Sequence, residues 1–158
     1  MTVRGIHHVG LVVDDLDAAV TFYSALLKMD VVERDHWRAP SPLEDQAVGL
    51  NGSSADGAML YGSGSYLEIW KYSSPDSANT SPGHYGAHEP GLRHLAIEVD
   101  DVEATLRHVI ELGGSAMGQP ARFENEAVVV YCRDPFGTIL ELMSTGPGGA
   151  SLDDARSR

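Results

Sequence analysis

The feature that most constrains this chain is a pattern written twice. His8-Val9-Gly10-Leu11-Val12-Val13-Asp14-Asp15-Leu16-Asp17-Ala18 is answered, at an offset of 86, by His94-Leu95-Ala96-Ile97-Glu98-Val99-Asp100-Asp101-Val102-Glu103-Ala104. His falls on His, the Asp pair on the Asp pair, and Ala on Ala. Downstream, Gly64-Ser65-Tyr66-Leu67-Glu68-Ile69 is answered by Gly137-Thr138-Ile139-Leu140-Glu141-Leu142 at an offset of 73. Such a chain is expected to fold as two copies of one module, each opening with a His and closing with a Glu. The change in offset puts an insertion in the first copy. The prolines and turn signals of residues 35–56 mark its place, and a surface insertion of this kind is where a substrate lid is expected.

Periodicity gives the module its content. Residues 6–13 alternate apolar and other residues as a strand does. Asp14-Asp15 reads as a helix start, and Leu16, Val20, Tyr23 and Leu27 follow at helical spacing, so a helix is expected over 15–28. Short strands are expected at 31–33, 46–50 and 58–61, and a last one at 66–72. The prolines of His36-Trp37-Arg38-Ala39-Pro40-Ser41-Pro42 argue against regular structure there. The second copy predicts strands at 92–99, 115–117, 127–133 and 138–144, with a helix over 101–112 that Gly113-Gly114 stops. Asp134-Pro135-Phe136-Gly137 has the residues of a tight turn. The fold class is therefore α+β, two βαβββ modules. Module one spans 4–72, a Ser/Pro/Gly-rich linker 73–91, module two 92–144, and a flexible tail 145–158.

Composition excludes several classes of function. A net charge of −12 with no Lys/Arg cluster offers nothing to nucleic acid phosphates or an anionic membrane surface. No apolar run approaches a spanning length, and the N-terminus lacks a signal-peptide shape. The single cysteine, Cys132, sits in an apolar strand pattern, is expected to be inert packing, and fits a reducing, cytoplasmic setting.

Strand parity then selects the chemistry. If Val9, Leu11 and Val13 cover the helix, His8 lies on the opposite face with the small Gly10. By the same alternation His94 lies with Ala96. In the last strands, Leu67 and Ile69 face one way and Tyr66, Glu68 and Trp70 the other, and Glu141 parts from Leu140 and Leu142 likewise. Two His and two Glu are thereby expected on one concave surface. Apposed carboxylates repel and are costly to desolvate, whereas a divalent cation suits imidazole and carboxylate donors together. Only His8, not His7, aligns with His94, and alternation puts His7 on the other face. His36, His84, His88 and His108 have no repeat partner. Tyr66 and Trp70 are candidates for a substrate wall, and His36 and Trp37 of the insertion for ligand contact.

These residues resemble the vicinal oxygen chelate superfamily, the group of glyoxalases, bleomycin resistance proteins and extradiol dioxygenases. The resemblance rests on the paired modules, the His-Val-Gly-Leu-Val-Val opening and the Asp-Pro-Phe-Gly-Thr-Ile-Leu-Glu-Leu ending, and covers about residues 4–144. It implies a metal-binding cup holding one divalent ion (Zn, Ni, Co, Mn or Fe) through His8, Glu68, His94 and Glu141. It also implies a small-molecule substrate with a carbonyl or vicinal oxygens, and a homodimer. Bacterial-type glyoxalase I is similar in having two His and two Glu at these positions. The expected activity is Lewis-acid and Glu-assisted proton abstraction beside a carbonyl, of isomerase, epimerase or lyase type, with Glu141 and Glu68 catalytic. The alternatives are an extradiol dioxygenase using His8, His94 and Glu141, and a non-catalytic binding or resistance protein. No cationic set for a glutathione carboxylate is evident.

Overall fold

The alternation of the first repeat becomes a four-stranded sheet with a helix against one face. The computed structural model describes residues 2–77 and 85–157, and its contacts divide the chain into Met1–Thr80 and Ser81–Arg158. The first unit runs β1 (His8–Val12), α1 (Leu16–Leu27), β2 (Asp30–Trp37), α2 (Pro42–Val48), β3 (Ser54–Gly62) and β4 (Ser65–Ser74). Its sheet has the order β1-β4-β3-β2, with β1 parallel to β4 and the other pairs antiparallel.

Helix α1 starts where Asp15, in an extended conformation, accepts from the Ala18 N–H at 3.1 Å. That bond satisfies one of the donors a helix start leaves free. Leu16, Ala19, Val20 and Tyr23 then fall on one buried stripe. The stripe packs on β3 and β4, where Leu60, Leu67 and Ile69 are fully or almost fully buried. Burying each such aliphatic side chain stabilises the unit by roughly 1.5–3 kcal/mol.

Two expectations for this unit are corrected. Residues 46–50 are not a strand, since most of them belong to α2. Pro42 at its first turn gives up an N–H the helix does not use, Glu44 and Asp45 favour its N-terminus, and Gly49 closes it at φ 71°. Those terminus signals outweigh the short apolar run. His36 and Trp37, expected in irregular chain, instead end β2, which pairs with β3 from Asp30↔Tyr61 to Trp37↔Ala55. Proline restraint begins only at Ala39.

The second unit runs β5 (His94–Glu98), α3 (Val102–Glu111), β6 (Ser115–Ala116), β7 (Ala121–Arg122), β8 (Val128–Arg133), β9 (Ile139–Ser144) and α4 (Leu152–Arg156). Its sheet has the order β5-β9-β8-β6, with β7 also on β8 and β5 parallel to β9. Asp101 caps α3 through the Ala104 N–H at 2.8 Å. Val102, Leu106 and Val109 are buried on α3, with Val130, Cys132, Leu140 and Leu142 buried on β8 and β9. Between those strands the buried Asp134 side chain accepts from the N–H groups of Phe136 (2.9 Å) and Thr138 (2.7 Å), fixing the turn that delivers β9. Beyond Gly146, read from composition as a flexible tail, Ser151 caps α4 and the Glu98 carboxylate accepts from the Leu152 N–H and the Thr145 hydroxyl. Among the described residues no helix is long and apolar enough to cross a membrane.

Candidate functional site: two His–Glu pairs

Each unit sets its His beside its Glu by the same register. In the first, the parallel pair β1/β4 puts Gly10 opposite Glu68 and His8 one step diagonal to it. In the second, β5/β9 puts Ala96 opposite Glu141 with His94 on the same diagonal. Diagonal neighbours in a sheet lie within reach of long side chains. The distances are 3.4 Å from His8 Nε2 to Glu68 Oε2 and 3.0 Å from His94 Nε2 to Glu141 Oε2. A small residue opposite each Glu leaves space for the carboxylate, and a Cβ at Gly10 would lie 3.7 Å from Glu68 Oε2, an ordinary contact. The alanine already present at position 96 is consistent with that. Both carboxylates are mostly shielded, with 24% of the Glu68 side chain and 17% of the Glu141 side chain exposed.

These pairs fit a metal in their donor chemistry and spacing. Nitrogen and oxygen donors about 2.0–2.2 Å from a shared ion lie roughly 3.0–3.5 Å from each other. One pair supplies two donors, and among the described residues no group of three or more His, Cys, Asp or Glu is gathered for an ion.

The surroundings of the two pairs differ. In the second unit Tyr131 is register partner of Glu141, its hydroxyl 3.4 Å from Oε2, and its ring meets that of His94 edge-on at 5.2 Å. Partial burial, then the charge and hydrogen bond of Glu141, push the Tyr131 phenol above its ordinary pKa. The corresponding partner of Glu68 is Met59. In the first unit the neighbours are instead aromatic. Trp37 lies 4.7 Å from Trp70 and 5.7 Å from Tyr72 between ring centroids. Burial, followed by the Glu68 charge, raises the Tyr72 phenol too.

The structure sorts the remaining candidates. Trp37, Tyr66 and Trp70 share the sheet face of Glu68, by register and ring contacts. His36 does not: it is paired with Asp56 and Lys71 on the opposite parity, and its neighbour Arg34 reaches Asp17 of α1 at 3.1 Å. His7 departs from the sequence reading. Its ring stacks on Tyr66 at 4.9 Å and its Nδ1 lies 2.9 Å from His8 Nδ1, on the side it was expected to avoid. The strand begins only at His8, so alternation has no hold on residue 7. His88 is exposed, and His108 is an exposed surface partner of Glu111 at 3.6 Å. His84 lies outside the described residues. The hollow of the insertion, bounded by Ala39, Pro40, Asp45 and Leu50, is lined by none of the His–Glu residues. Tyr131 and Met59 carry no signal in the repeat, and Gly57 reads in the sequence only as part of the Asp56-Gly57 turn signal. The Val129/Tyr131/Arg133 alternation could have flagged Tyr131, whereas Met59 and Gly57 matter only through their strand partners.

Comparison with known proteins places the chain. Residues 5–142 match the family model of the Glyoxalase/Bleomycin resistance protein/Dioxygenase superfamily, and the protein belongs to that family. It is 30% identical to a 2-epi-5-epi-valiolone epimerase from an Actinomyces species, over 97% of this chain and 88% of that protein. It is 24% identical to a probable lactoylglutathione lyase of Synechocystis, over 87% of this chain and 93% of the relative. Among solved structures, it shares its fold with an E126Q mutant of the fosfomycin resistance protein FosX of Listeria monocytogenes, complexed with Mn(II) and a dihydroxypropylphosphonic acid. The TM-score is 0.60 at 15% identity, covering 98% of this chain and 99% of that one.

Proposed function

We propose that this protein is an enzyme of the isomerase/lyase type that moves a proton at a carbon beside a carbonyl, with epimerisation as the leading form. The observation carrying this reading is the repeated His–Glu pair at one register, 3.4 Å and 3.0 Å across. An epimerisation beside a carbonyl needs a base to take the proton and an acid to return it, and one carboxylate on each face of the carbon can do both. Glu68 and Glu141 are the two carboxylates. The epimerase relative, similar over nearly the whole chain, supports this choice.

His8, Glu68, His94 and Glu141 would hold one divalent ion of the Zn, Ni, Co, Mn or Fe kind once the two pairs meet, within one chain or between two copies. When bound, the ion supplies Lewis-acid stabilisation to negative charge developing on the carbonyl oxygen. The Mn(II) complex of a protein with the same fold supports a metal here. Without the ion the imidazoles orient the carboxylates; with it bound, a carboxylate that acts as base would do so off the ion, and the partly shielded face keeps water from competing for the proton.

The test measures metal content, solvent deuterium uptake beside the carbonyl of hydroxylated ketones, and oxygen consumption with catechols. Wild type is expected to carry metal, to exchange the proton and to leave oxygen untouched. Glu68→Gln and Glu141→Gln should each lose about 10²-fold or more in exchange. Full exchange and full metal in both variants overturns the assigned roles. Oxygen uptake with catechol would favour a ring-cleaving dioxygenase using His8, His94 and Glu141, and tight capture without turnover a binding protein.

A further inference from the structure

The aromatic cluster beside Glu68 has a construction that says what it receives. Glu68, Trp70 and Tyr72 share one face of β4, and their β3 partners are Met59, Gly57 and Ala55. The partners of those on β2 are Glu33, Asp35 and Trp37. Gly57 and Ala55 leave the middle strand nearly bare, so side chains of the flanking strands approach one another across it. At Gly57 a Cβ would come within 2.4 Å of two carbons of the Trp70 ring, so the indole lies down over the glycine. Trp37 is braced from behind: its Nε1–H donates to Ser53 Oγ at 2.9 Å. Ser53 Oγ donates to Asp45 Oδ1 at 2.5 Å, and Asp45 also accepts from the Ser53 and Gly52 N–H groups at 2.8 Å each. An indole whose N–H is already bonded offers a ligand only its π surface, and a wall ordered in advance loses little entropy on binding.

The charges on the same face select further. Glu33 and Asp35 lie across the bare strand from Glu68 and Trp70, and the strands present no Lys or Arg on this face. Arg34 and Lys71 have the opposite parity, and Arg38 is paired with Asp56 at 2.7 Å. An anionic ligand is repelled from such a surface. A neutral ligand with hydroxyl groups is favoured, because carboxylates only accept hydrogen bonds. The π faces, electron-rich at their centres, suit the weakly positive C–H bonds of a saturated ring.

We propose that Trp37, Trp70 and Tyr72 form a stacking platform for an uncharged, polyhydroxylated six-membered ring. The ring lays its C–H face on the Trp70 indole, with Trp37, tilted 58° to it, as the side wall, and donates its rim hydroxyls to Glu33 and to the Asp35 oxygen that the His36 N–H leaves open. This rests on the proton-transfer reading only in taking Glu68 as the reacting group beside the platform, and it names the substrate class as cyclic. The second unit has no such platform, since its counterparts of Gly57 and Trp70 are the register pair Val129 and Met143.

The chain contains only two tryptophans, and both are in the wall, so intrinsic fluorescence reports on this spot alone. The probes are scyllo-inositol, a ring with every C–H bond axial, mannitol, with the same six hydroxyls on an open chain, and catechol. Saturable change is expected with scyllo-inositol and none with mannitol. In Trp70→Ala, read by the remaining Trp37, and in Gly57→Ala, affinity should fall about tenfold, whereas Trp70→Phe should stay within threefold or so. Circular dichroism verifies that each variant is folded, and Trp37→Phe, read by Trp70, serves should Trp70→Ala not fold. Mannitol equal to the ring, catechol tighter than the ring, or undiminished affinity in Trp70→Ala overturns the proposal. Because scyllo-inositol has no carbonyl, its binding is independent of turnover. A platform without proton exchange refutes the enzymatic reading alone, and exchange without a platform refutes this inference alone.

Discussion

The two units carry the same His–Glu pair and enclose it in different chemistry. Around Glu68 stand Met59, a bare Gly57 and two indoles; around Glu141 stand Tyr131, Val129 and Met143. The donors coincide because backbone register sets them: a parallel first and last strand with a diagonal His–Glu step survives any change on neighbouring strands. The walls differ because the residues that build them come from β2 and β3 on one side and β8 on the other. Insertion α2, present only in the first unit, reaches the wall through Asp45 and Ser53. On the proposed reading this is a division of labour: the duplicated strands would keep the reactive groups and the intervening strands would choose the ligand. It also separates the two carboxylates. Glu141 has a phenol as hydrogen-bond partner, whereas the thioether at the matching position offers Glu68 none.

The largest effects fall on the part the two units share. His8→Ala and His94→Ala should each lower turnover by about 10²-fold or more, with loss of metal, because each removes a donor or the orienter of a carboxylate. A variant with near-normal turnover and metal would end the equivalence of the pairs. Gly57→Ala against Val129→Ala tests the walls. The first forces Trp70 aside and should cost roughly 1–3 kcal/mol in denaturant unfolding, while the second, at a half-buried site, should cost less; the reverse order would mean the indole is not seated on Gly57. Tyr131→Phe sharpens the difference between the carboxylates. Loss of a weak bond to a charged group is worth about 1 kcal/mol, or some fivefold in kcat with KM unchanged, and Met59→Leu should leave kcat alone. The smallest effect is an acid one. Hydrogen bonds from Ser53 hold Asp45 below its ordinary value of 3.8. Its bracing is therefore complete above that value and is lost as pH falls through the lowered one. Trp37 emission in Trp70→Phe should be flat from neutrality to about pH 4 and change below, and Asp45→Asn should abolish the step.

Much of this molecule is written in its repeat. Leu67 and Ile69 are buried while Tyr66, Glu68 and Trp70 are not, as period-2 alternation requires. The pairing of Asp15 with Asp101 as caps follows from residue type and spacing. Cys132 is fully buried, and burial first, then the Asp134 charge, pushes its thiol up to about 11, so its inertness was legible from an apolar strand. What escaped the sequence depends on neighbours far along the chain. Trp37 meets Tyr72 only through the β2–β3–β4 register, and Gly57 reads as half of an Asp-Gly turn signal until Trp70 is laid on it. His7 escapes the parity rule because alternation ends where the strand does. Val48 and Leu50 suggest a strand in the sequence, whereas the proline and acids at its start make helix α2.

The bonds that fasten the C-terminal segment have a bearing on how this protein is handled. Glu98 lies on the strand of His94, two positions past the alanine facing Glu141, and both its oxygens are occupied by Thr145 and Leu152. Trimming the chain before Leu152, or splicing a fusion there, would take away one of those partners. An anionic side chain would then stand less restrained beside the His94–Glu141 pair, where it competes for cations and raises the local negative potential. Purification handles belong elsewhere on this chain.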